Sequence, residues 1–222
     1  MTRHSLGMGV CALLLVGKAS VGVAADPVVP FSGLYFAVGA GMAQVSLKHS
    51  GRVGKGDRVD LSQKLNLADF PVLFGIGRPL GAGLYVGVEA ALNIMPRAHQ
   101  KTEEISSHGV SLISMGPSKV SCCFNARFGI LPMHGPVLLF LMVGGAGTKA
   151  SIQAFSERCE FFAITPCVGG GVEYAFSKRF SVRCDICRSF GESEGKTLSG
   201  DRIVESTTSI TPIRFLLSFY PL

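Results

Sequence analysis

Residues 84–94 read LYVGVEAALNI, and their side chains alternate between two kinds of surface. One face carries only apolar residues: Leu84, Val86, Val88, Ala90, Leu92 and Ile94. The opposite face carries Tyr85, Gly87, Glu89 and Asn93. Because successive side chains of a strand point to opposite sides, this period of two predicts a β-strand with one apolar and one mixed face.

The same pattern recurs along the chain and predicts eight strands, at about 33–46, 68–78, 84–94, 119–131, 137–147, 162–174, 180–190 and 210–220. The fifth is apolar on both faces, so its sides are left unassigned. Short turns alternate with long polar connections, which fall at 47–67, 95–118, 148–161 and 191–209. A meander of this kind places every long connection at one end. The sequence therefore predicts an all-β fold, an eight-stranded antiparallel up-and-down transmembrane β-barrel over residues 26–222.

The composition agrees with a barrel and excludes several other classes of protein. Apolar residues make up 47% of the 222 residues and charged residues only 16%, which argues against disorder. The one helix-like apolar run is too short to span a bilayer as a helix. Apolar residues spread over eight stripes explain the hydrophobicity, and closure of the sheet would satisfy the backbone groups that lipid cannot.

The N-terminal segment has the three parts of an export signal. Arg3 precedes a short apolar run at 10–16 (VCALLLV), and small residues at 23–25 precede Asp26. We interpret residues 1–25 as a signal peptide. Its removal takes away Arg3 and Lys18 and no acidic residue, so the formal charge falls from +6 to +4.

Charged residues share the mixed faces of the predicted strands. The eight residues predicted to form an ionic network in the lumen are Asp69, Glu89, Lys119, Arg127, Glu173, Arg183, Asp185 and Arg214. A barrel of eight strands is only wide enough to be filled by side chains, so we expect these charges to pair rather than line a pore. A gated conductance, as in a small porin, is the alternative. A water-soluble barrel of the lipocalin type would show the reverse pattern, with its polar face outside.

Three short motifs resemble a known family: GLYFAVGAG at 33–41, GLYVGVE at 83–89 and GGGVEY at 169–174. They are similar to the OmpA-like and opacity-type outer-membrane barrels, a group that includes surface antigens of obligate intracellular bacteria. The resemblance implies a structural surface antigen or adhesin of the bacterial outer membrane. Its partners would be outer-membrane lipid, the barrel assembly machinery and host-cell surface molecules. The family usually ends on an aromatic residue, whereas Pro221 and Leu222 follow Tyr220 here.

Six cysteines remain after the predicted cleavage, and an even number in an exported chain permits disulfides. Cys184 and Cys187 are spaced as in a CxxC motif, but on a strand they point to opposite faces and cannot grip one metal ion. Antiparallel pairing about the turn at 177 would bring Cys167 opposite Cys187. We expect these two residues to be neighbours in the lumen, where a disulfide could join them.

Catalytic and cofactor-binding patterns are weak. Ser106, Ser107 and His108, with Glu103 and Glu104, could form a lipid-hydrolysing site at the barrel rim. They occupy one predicted loop, however, whereas a catalytic triad needs support from several strands. We expect no enzyme activity, no cofactor and no metal site, and a lipid-modifying outer-membrane enzyme remains a less favoured alternative.

The first long connection is rich in basic residues. They are Lys48, Arg52, Lys55, Arg58 and Lys64, against Asp57 and Asp60. This excess could attract anionic lipid head groups or acidic host glycans, or simply keep a surface loop solvated. Nucleic acid is not an expected partner, because export removes the chain from it.

Overall fold

A computed structural model of the protein describes residues 31–53, 58–96, 103–107, 110–117, 119–132, 135–154, 157–191, 193–198 and 202–221. The predicted signal peptide, residues 1–25, lies outside them. The strands are β1 Gly33–Val53, β2 Arg58–Leu80, β3 Leu84–Ile94, β4 Glu103–Ser107, β5 Val110–Pro117, β6 Val120–Ile130, β7 Val137–Ala154, β8 Glu157–Ala175, β9 Phe180–Ser189, β10 Ser193–Leu198 and β11 Arg202–Phe219. Within these ranges no helix is long and apolar enough to cross a membrane.

Eight of the strands close into a barrel in the order β1-β2-β3-β6-β7-β8-β9-β11, and every neighbouring pair is antiparallel. The pairing of β1 with β11 closes the ring and runs from Phe36 opposite Phe219 to Val53 opposite Arg202. Each barrel strand thus has a hydrogen-bonded neighbour on both sides. The predicted eight-stranded antiparallel up-and-down barrel is confirmed.

Short turns gather at one end of the barrel, which we call the turn end. The connection from β2 to β3 is a single 3₁₀ turn at Gly81–Gly83, in which Ala82 has φ 62° and Gly83 has φ 75°. Left-handed backbone of this kind lets two long strands reverse within three residues. At Ser177 the hydroxyl accepts hydrogen bonds from the backbone amides of Arg179 and Phe180, which fixes the turn before β9.

The opposite end, which we call the hairpin end, differs from the prediction. The segments expected as long loops are largely strand: β1 and β2 stay paired out to Arg52 opposite Arg58, and β7 and β8 out to Ala154 opposite Glu157. A further hairpin, β4–β5, pairs with β7, and β10 pairs with β11. The prediction of four long loops is therefore wrong. Polar residues gave these segments no continuous apolar face, yet backbone hydrogen bonds extend a sheet without one.

The alternation of side chains is that of a barrel turned inside out relative to a soluble one. On every barrel strand the apolar face points outward. This includes β7, whose faces the sequence left unassigned: Leu139, Leu141 and Val143 point out, whereas Leu138 and Phe140 are buried inside. The mixed faces meet in the lumen, which contains the charged residues.

Candidate functional site

The outer wall carries a continuous apolar belt. One large apolar residue from each barrel strand, between 44% and 70% exposed, illustrates it: Phe36, Phe74, Val88, Phe124, Leu141, Ile164, Val182 and Phe215. Along β3 the belt extends from Leu84 to Ile94, and ten steps of about 3.3 Å at a tilt of about 40° give a height of roughly 25 Å. Toward the hairpin end the outward residues of β1 become polar, at Gln44, Ser46 and Lys48.

Aromatic side chains border the belt at the turn end. The rings of Phe176 and Phe180 stack with their centroids 6.2 Å apart, and the centroids of Phe180 and Phe219 are 5.3 Å apart. Tyr174 lies exposed on the neighbouring strand. Aromatic residues at this height are typical of the interface between hydrocarbon and water.

The lumen contains seven of the eight predicted network residues. All seven are buried: Asp69, Glu89, Arg127, Glu173, Arg183, Asp185 and Arg214. Lys119 is the exception, and its assignment to the lumen was wrong. It precedes the first residue of β6, Val120, and lies exposed at the rim, where water can solvate its ammonium group.

Arg127 joins the acids at the turn end. Its guanidinium is 2.8 Å from Glu173 Oε2 and 3.8 Å from Glu89 Oε2, and it donates a 3.0 Å hydrogen bond to the hydroxyl of Tyr35. The guanidinium carbon also lies 4.0 Å from the ring centroid of Phe140. Ionic, hydrogen-bonding and cation–π contacts therefore surround a cation that is fully removed from solvent.

Arg183 links this group to the middle of the lumen. It binds Glu89 through both terminal nitrogens, at 2.7 and 3.1 Å, and its Nε is 2.6 Å from Asp185 Oδ2. Its guanidinium carbon lies 4.6 Å from the centroid of Phe140, so that this ring contacts two arginines. Two-point binding of the carboxylate of Glu89 fixes the geometry as well as the charge.

Arg214 is the third buried cation and stands nearest to the hairpin half of the lumen. Its Nε is 2.7 Å from Asp185 Oδ1, and it donates a 3.2 Å hydrogen bond to Asn93 Oδ1. Asp69 belongs to the same region but is held differently: it is 1% exposed, and neither carboxylate oxygen has a hydrogen-bond partner in the structure. The described lumen thus has four acids and three arginines, with Asp69 outside the paired set.

Uncharged residues that the sequence analysis did not select complete the network. Tyr220 donates a 2.7 Å hydrogen bond to Glu173 Oε1, and Tyr35 donates one of 2.9 Å to Glu89 Oε2. Ser181 donates a further bond to Glu173. All three lie on mixed faces, and that position was the only available signal for them.

Two lumen glycines serve aromatic rings. A Cβ added at Gly75 would overlap the ring of Tyr35, and one added at Gly77 would overlap the hydroxyl of Tyr85. The tyrosine rings therefore lie flat against bare backbone. This arrangement gives the phenol groups access to the centre of the turn-end network.

Cys167 and Cys187 both point into the lumen, but the predicted register was wrong by two residues. Cys167 lies opposite Ser189 and Cys187 lies opposite Gly169, because β8 and β9 pair about residue 178 and not 177. The two thiols still hydrogen-bond to each other, and both are unoxidised in the structure. Cys184 and Cys187 lie on opposite sides of the wall of β9.

The basic first connection is divided among several environments. Lys48 and Lys64 are exposed on the outer faces of β1 and β2, and Arg52 and Arg58 occupy opposite positions on the same strands. Lys55 lies outside the described residues. A groove of about 430 Å³ is lined by Lys48, Ser50, His49, Asp60, Leu61, Ser62, Glu205 and Thr207. Because two acids share this groove, it is less basic than the sequence count indicates.

Catalytic and metal-binding arrangements do not emerge in the described part of the chain. No group of three or more His, Cys, Asp and Glu side chains there could hold a metal ion. Ser106 and Ser107 lie on β4, whereas His108 lies outside the described residues. His49, on the extension of β1, is buried, and burial lowers its pKa to about 4.

Comparison with other proteins finds similar folds and no similar sequence. No protein-family model and no curated protein sequence matches the chain. Neisserial surface protein A is 13% identical, with a TM-score of 0.47, and the match covers 85% of this chain and 97% of that one. Outer membrane protein OprG of Pseudomonas aeruginosa is 10% identical, with a TM-score of 0.47 over 86% and 97% of the two chains.

A third similar structure is Ail, the attachment invasion locus protein of Yersinia pestis. It is 12% identical, with a TM-score of 0.39 over 83% of this chain and 99% of that one. Values this low describe a broad likeness of fold. The architecture assigned to this chain follows from its own closed pairing of strands.

Proposed function

We propose that this chain is an integral protein of the bacterial outer membrane, a structural surface antigen or adhesin whose barrel has a side-chain-filled lumen. The observation that carries the proposal is the inversion of the two faces. Large apolar side chains cover the outside, whereas Arg127, Arg183 and Arg214 are at most 2% exposed inside. Only an apolar surrounding medium makes that arrangement favourable.

The dimensions of the belt support the same environment. Its height of roughly 25 Å matches the apolar band of outer-membrane barrels, and the aromatic border at the turn end marks an interface. The predicted signal peptide supplies export. Outer-membrane lipid would surround the belt, and the barrel assembly machinery would insert it.

The filled lumen supports a structural role in preference to transport. The arginine–carboxylate network crosses the interior from β6 and β8 to β9 and β11. Opening a pore would require separation of ion pairs that have no access to water, at a cost of several kcal/mol per charge. A small porin is therefore the less favoured candidate.

The hairpin end supplies the surface that partners would meet. β1, β2, β7, β8 and β11 each have 18 residues or more, so they extend well beyond the height of the belt. Beyond the belt the outward residues of β1 and β2 are polar, including Lys48 and Lys64. These hairpins would reach the medium, where host-cell surface molecules are the proposed partners.

Gel mobility and surface proteolysis test this proposal together. A barrel refolded in detergent should migrate at one position unheated and at another after boiling, because a closed sheet resists the detergent. Protease added to intact cells should cut in the hairpin ends and leave the belt protected. Identical migration with and without heating, or cleavage in the turns at 81–83 or 176–179, would contradict it.

The enzyme alternative has a separate test. Purified barrel mixed with outer-membrane lipid should leave the lipid unchanged. Hydrolysis that disappears in a His108→Ala variant would overturn the structural role.

A further inference from the structure

Three thiols converge in the hairpin half of the lumen. Cys123 of β6, Cys167 of β8 and Cys187 of β9 point inward and are 9%, 2% and 5% exposed. They line one small enclosed space together with Asn93 and Arg214. The ionic network at the turn end does not use them.

Cys167 and Cys187 are the pair in direct contact. Their thiols hydrogen-bond to each other, although the residues are diagonal neighbours in the register of β8 and β9. Gly169 lies opposite Cys187 and two residues from Cys167, so no side chain stands between the sulfurs. A Cβ at Gly169 would lie 2.8 Å from the Cα of Cys187, which shows how closely the two strands approach there.

Cys123 is held away from this pair by a different contact. Its sulfur accepts a 3.5 Å hydrogen bond from Asn93 Nδ2. It lies on β6, across the lumen from β9, and is separated from β8 by β7. Formation of a bond to Cys123 would therefore require movement across the lumen, whereas Cys167 and Cys187 belong to hydrogen-bonded strands.

We propose that Cys167 and Cys187 are a modification site: an oxidisable pair that forms a disulfide between β8 and β9 when the barrel folds in an oxidising compartment. Cys123 stays a free thiol. This role is independent of what the hairpins bind, and it follows from contact, burial and the export expected of the chain.

The oxidation proceeds by exchange with a disulfide oxidant. One thiolate attacks the oxidant, which forms a mixed disulfide and releases one thiol of the oxidant. The second thiolate then attacks the protein sulfur of the mixed disulfide and releases the other thiol. Two S–H bonds are lost and one S–S bond forms, while two electrons and two protons reduce the oxidant to two thiols.

The bond would fasten two strands where ionic pairing is sparse. It closes a loop between positions 167 and 187, and loops of this size restrict the unfolded chain appreciably. We expect the oxidised barrel to unfold at a temperature roughly 5–10 °C above that of the reduced barrel.

Disulfide mapping tests the proposal on the wild-type protein. The chain is refolded into detergent micelles with oxidised glutathione or with dithiothreitol, and heat-modifiable migration verifies that each sample is folded. Free thiols are then alkylated after unfolding, and peptides are analysed by mass spectrometry. The oxidised sample should contain one peptide pair that joins Cys167 to Cys187, and alkylated Cys123.

Two serine variants serve as a matched pair. Cys187→Ser should lose both the linked peptide and the oxidant-dependent rise in unfolding temperature, whereas Cys184→Ser, on the outer side of the same strand, should keep both. Full alkylation of Cys167 and Cys187 in the folded oxidised wild type would overturn the proposal. A link from either residue to any other cysteine would overturn it as well. This readout uses the wild type alone, so it stands even where a variant fails to fold.

Discussion

The two halves of the lumen solve the problem of buried polar groups differently. At the turn end, Glu89 and Glu173 receive hydrogen bonds from arginines, tyrosines and Ser181, and bulky rings fill the remaining space. At the hairpin end, Asp69 is buried without a hydrogen-bond partner, and thiols and small polar groups surround an enclosed space. The comparison indicates that the turn end anchors the barrel and that the hairpin half is more tolerant of change.

Removal of a turn-end cation should have the largest effect. Arg183→Met leaves Glu89 and Asp185 buried without their shared cation, and we expect a loss of about 3–5 kcal/mol in the free energy of unfolding. Arg188→Met, the same substitution at an exposed position of β9, should cost less than about 0.5 kcal/mol. Urea unfolding in lipid vesicles measures both, and equal losses would show that the network does not anchor the barrel.

A charge placed on the outer belt should have the next largest effect, in a manner that depends on height. Phe128→Lys, on the outward face of β6, should destabilise the inserted barrel by about 2–4 kcal/mol. Ser46→Lys, outward on β1 but beyond the belt, should cost about 0–1 kcal/mol. The same urea titration compares them. A harmless Phe128→Lys would mean that this wall does not face lipid.

Acid should act first on the hairpin end through His49, which is buried between Leu61 and Ser206 of the neighbouring strands. Its pKa falls from 6.5 when unfolded to about 4 when folded, because burial disfavours the imidazolium. Between these values the unfolded segment binds more protons, so stability is lost as pH falls from about 6.5 toward 4.

The expected loss is roughly 1–3 kcal/mol for local opening of the β1–β2 extension. Hydrogen exchange of the amides at 44–51, measured between pH 7 and pH 4 and corrected for intrinsic rates, reports it. A His49→Gln variant should abolish the pH dependence. Opening that is independent of pH in the wild type would refute this explanation.

The smallest change is expected at Asp69. Because its carboxylate lacks a hydrogen-bond partner, Asp69→Asn removes a buried charge and should change the free energy of unfolding by about 1 kcal/mol or less, or raise it. Asp185→Asn, which weakens two arginine contacts, should cost about 2–3 kcal/mol. A larger loss at Asp69 than at Asp185 would reverse the contrast between the two halves.

Period-two alternation in the sequence was sufficient to predict the barrel and seven of the residues whose charges lie in the lumen, because parity along a strand decides which wall a side chain occupies. Lys119 escaped this rule because it stands one residue before β6. Parity also could not distinguish Tyr35 and Tyr220 from other inward residues, since their role depends on which acids lie across the lumen.

Register and strand length were harder to predict. One extra residue in the turn before β9 changes the partner of Cys167 from Cys187 to Ser189. The extensions at the hairpin end are held by backbone hydrogen bonds, which leave no signature in side-chain hydrophobicity. Interactions that depend on chain geometry and not on residue type therefore required the structure.

Electrical conductance across a planar lipid bilayer tests the filled lumen most directly. Wild-type barrel, shown to be folded by its heat-modifiable migration and inserted by its co-flotation with vesicles, should produce no stable current steps, because Arg127, Arg183 and Arg214 and their carboxylates occupy the interior. Stable stepwise channels of uniform size in the wild type would contradict the account.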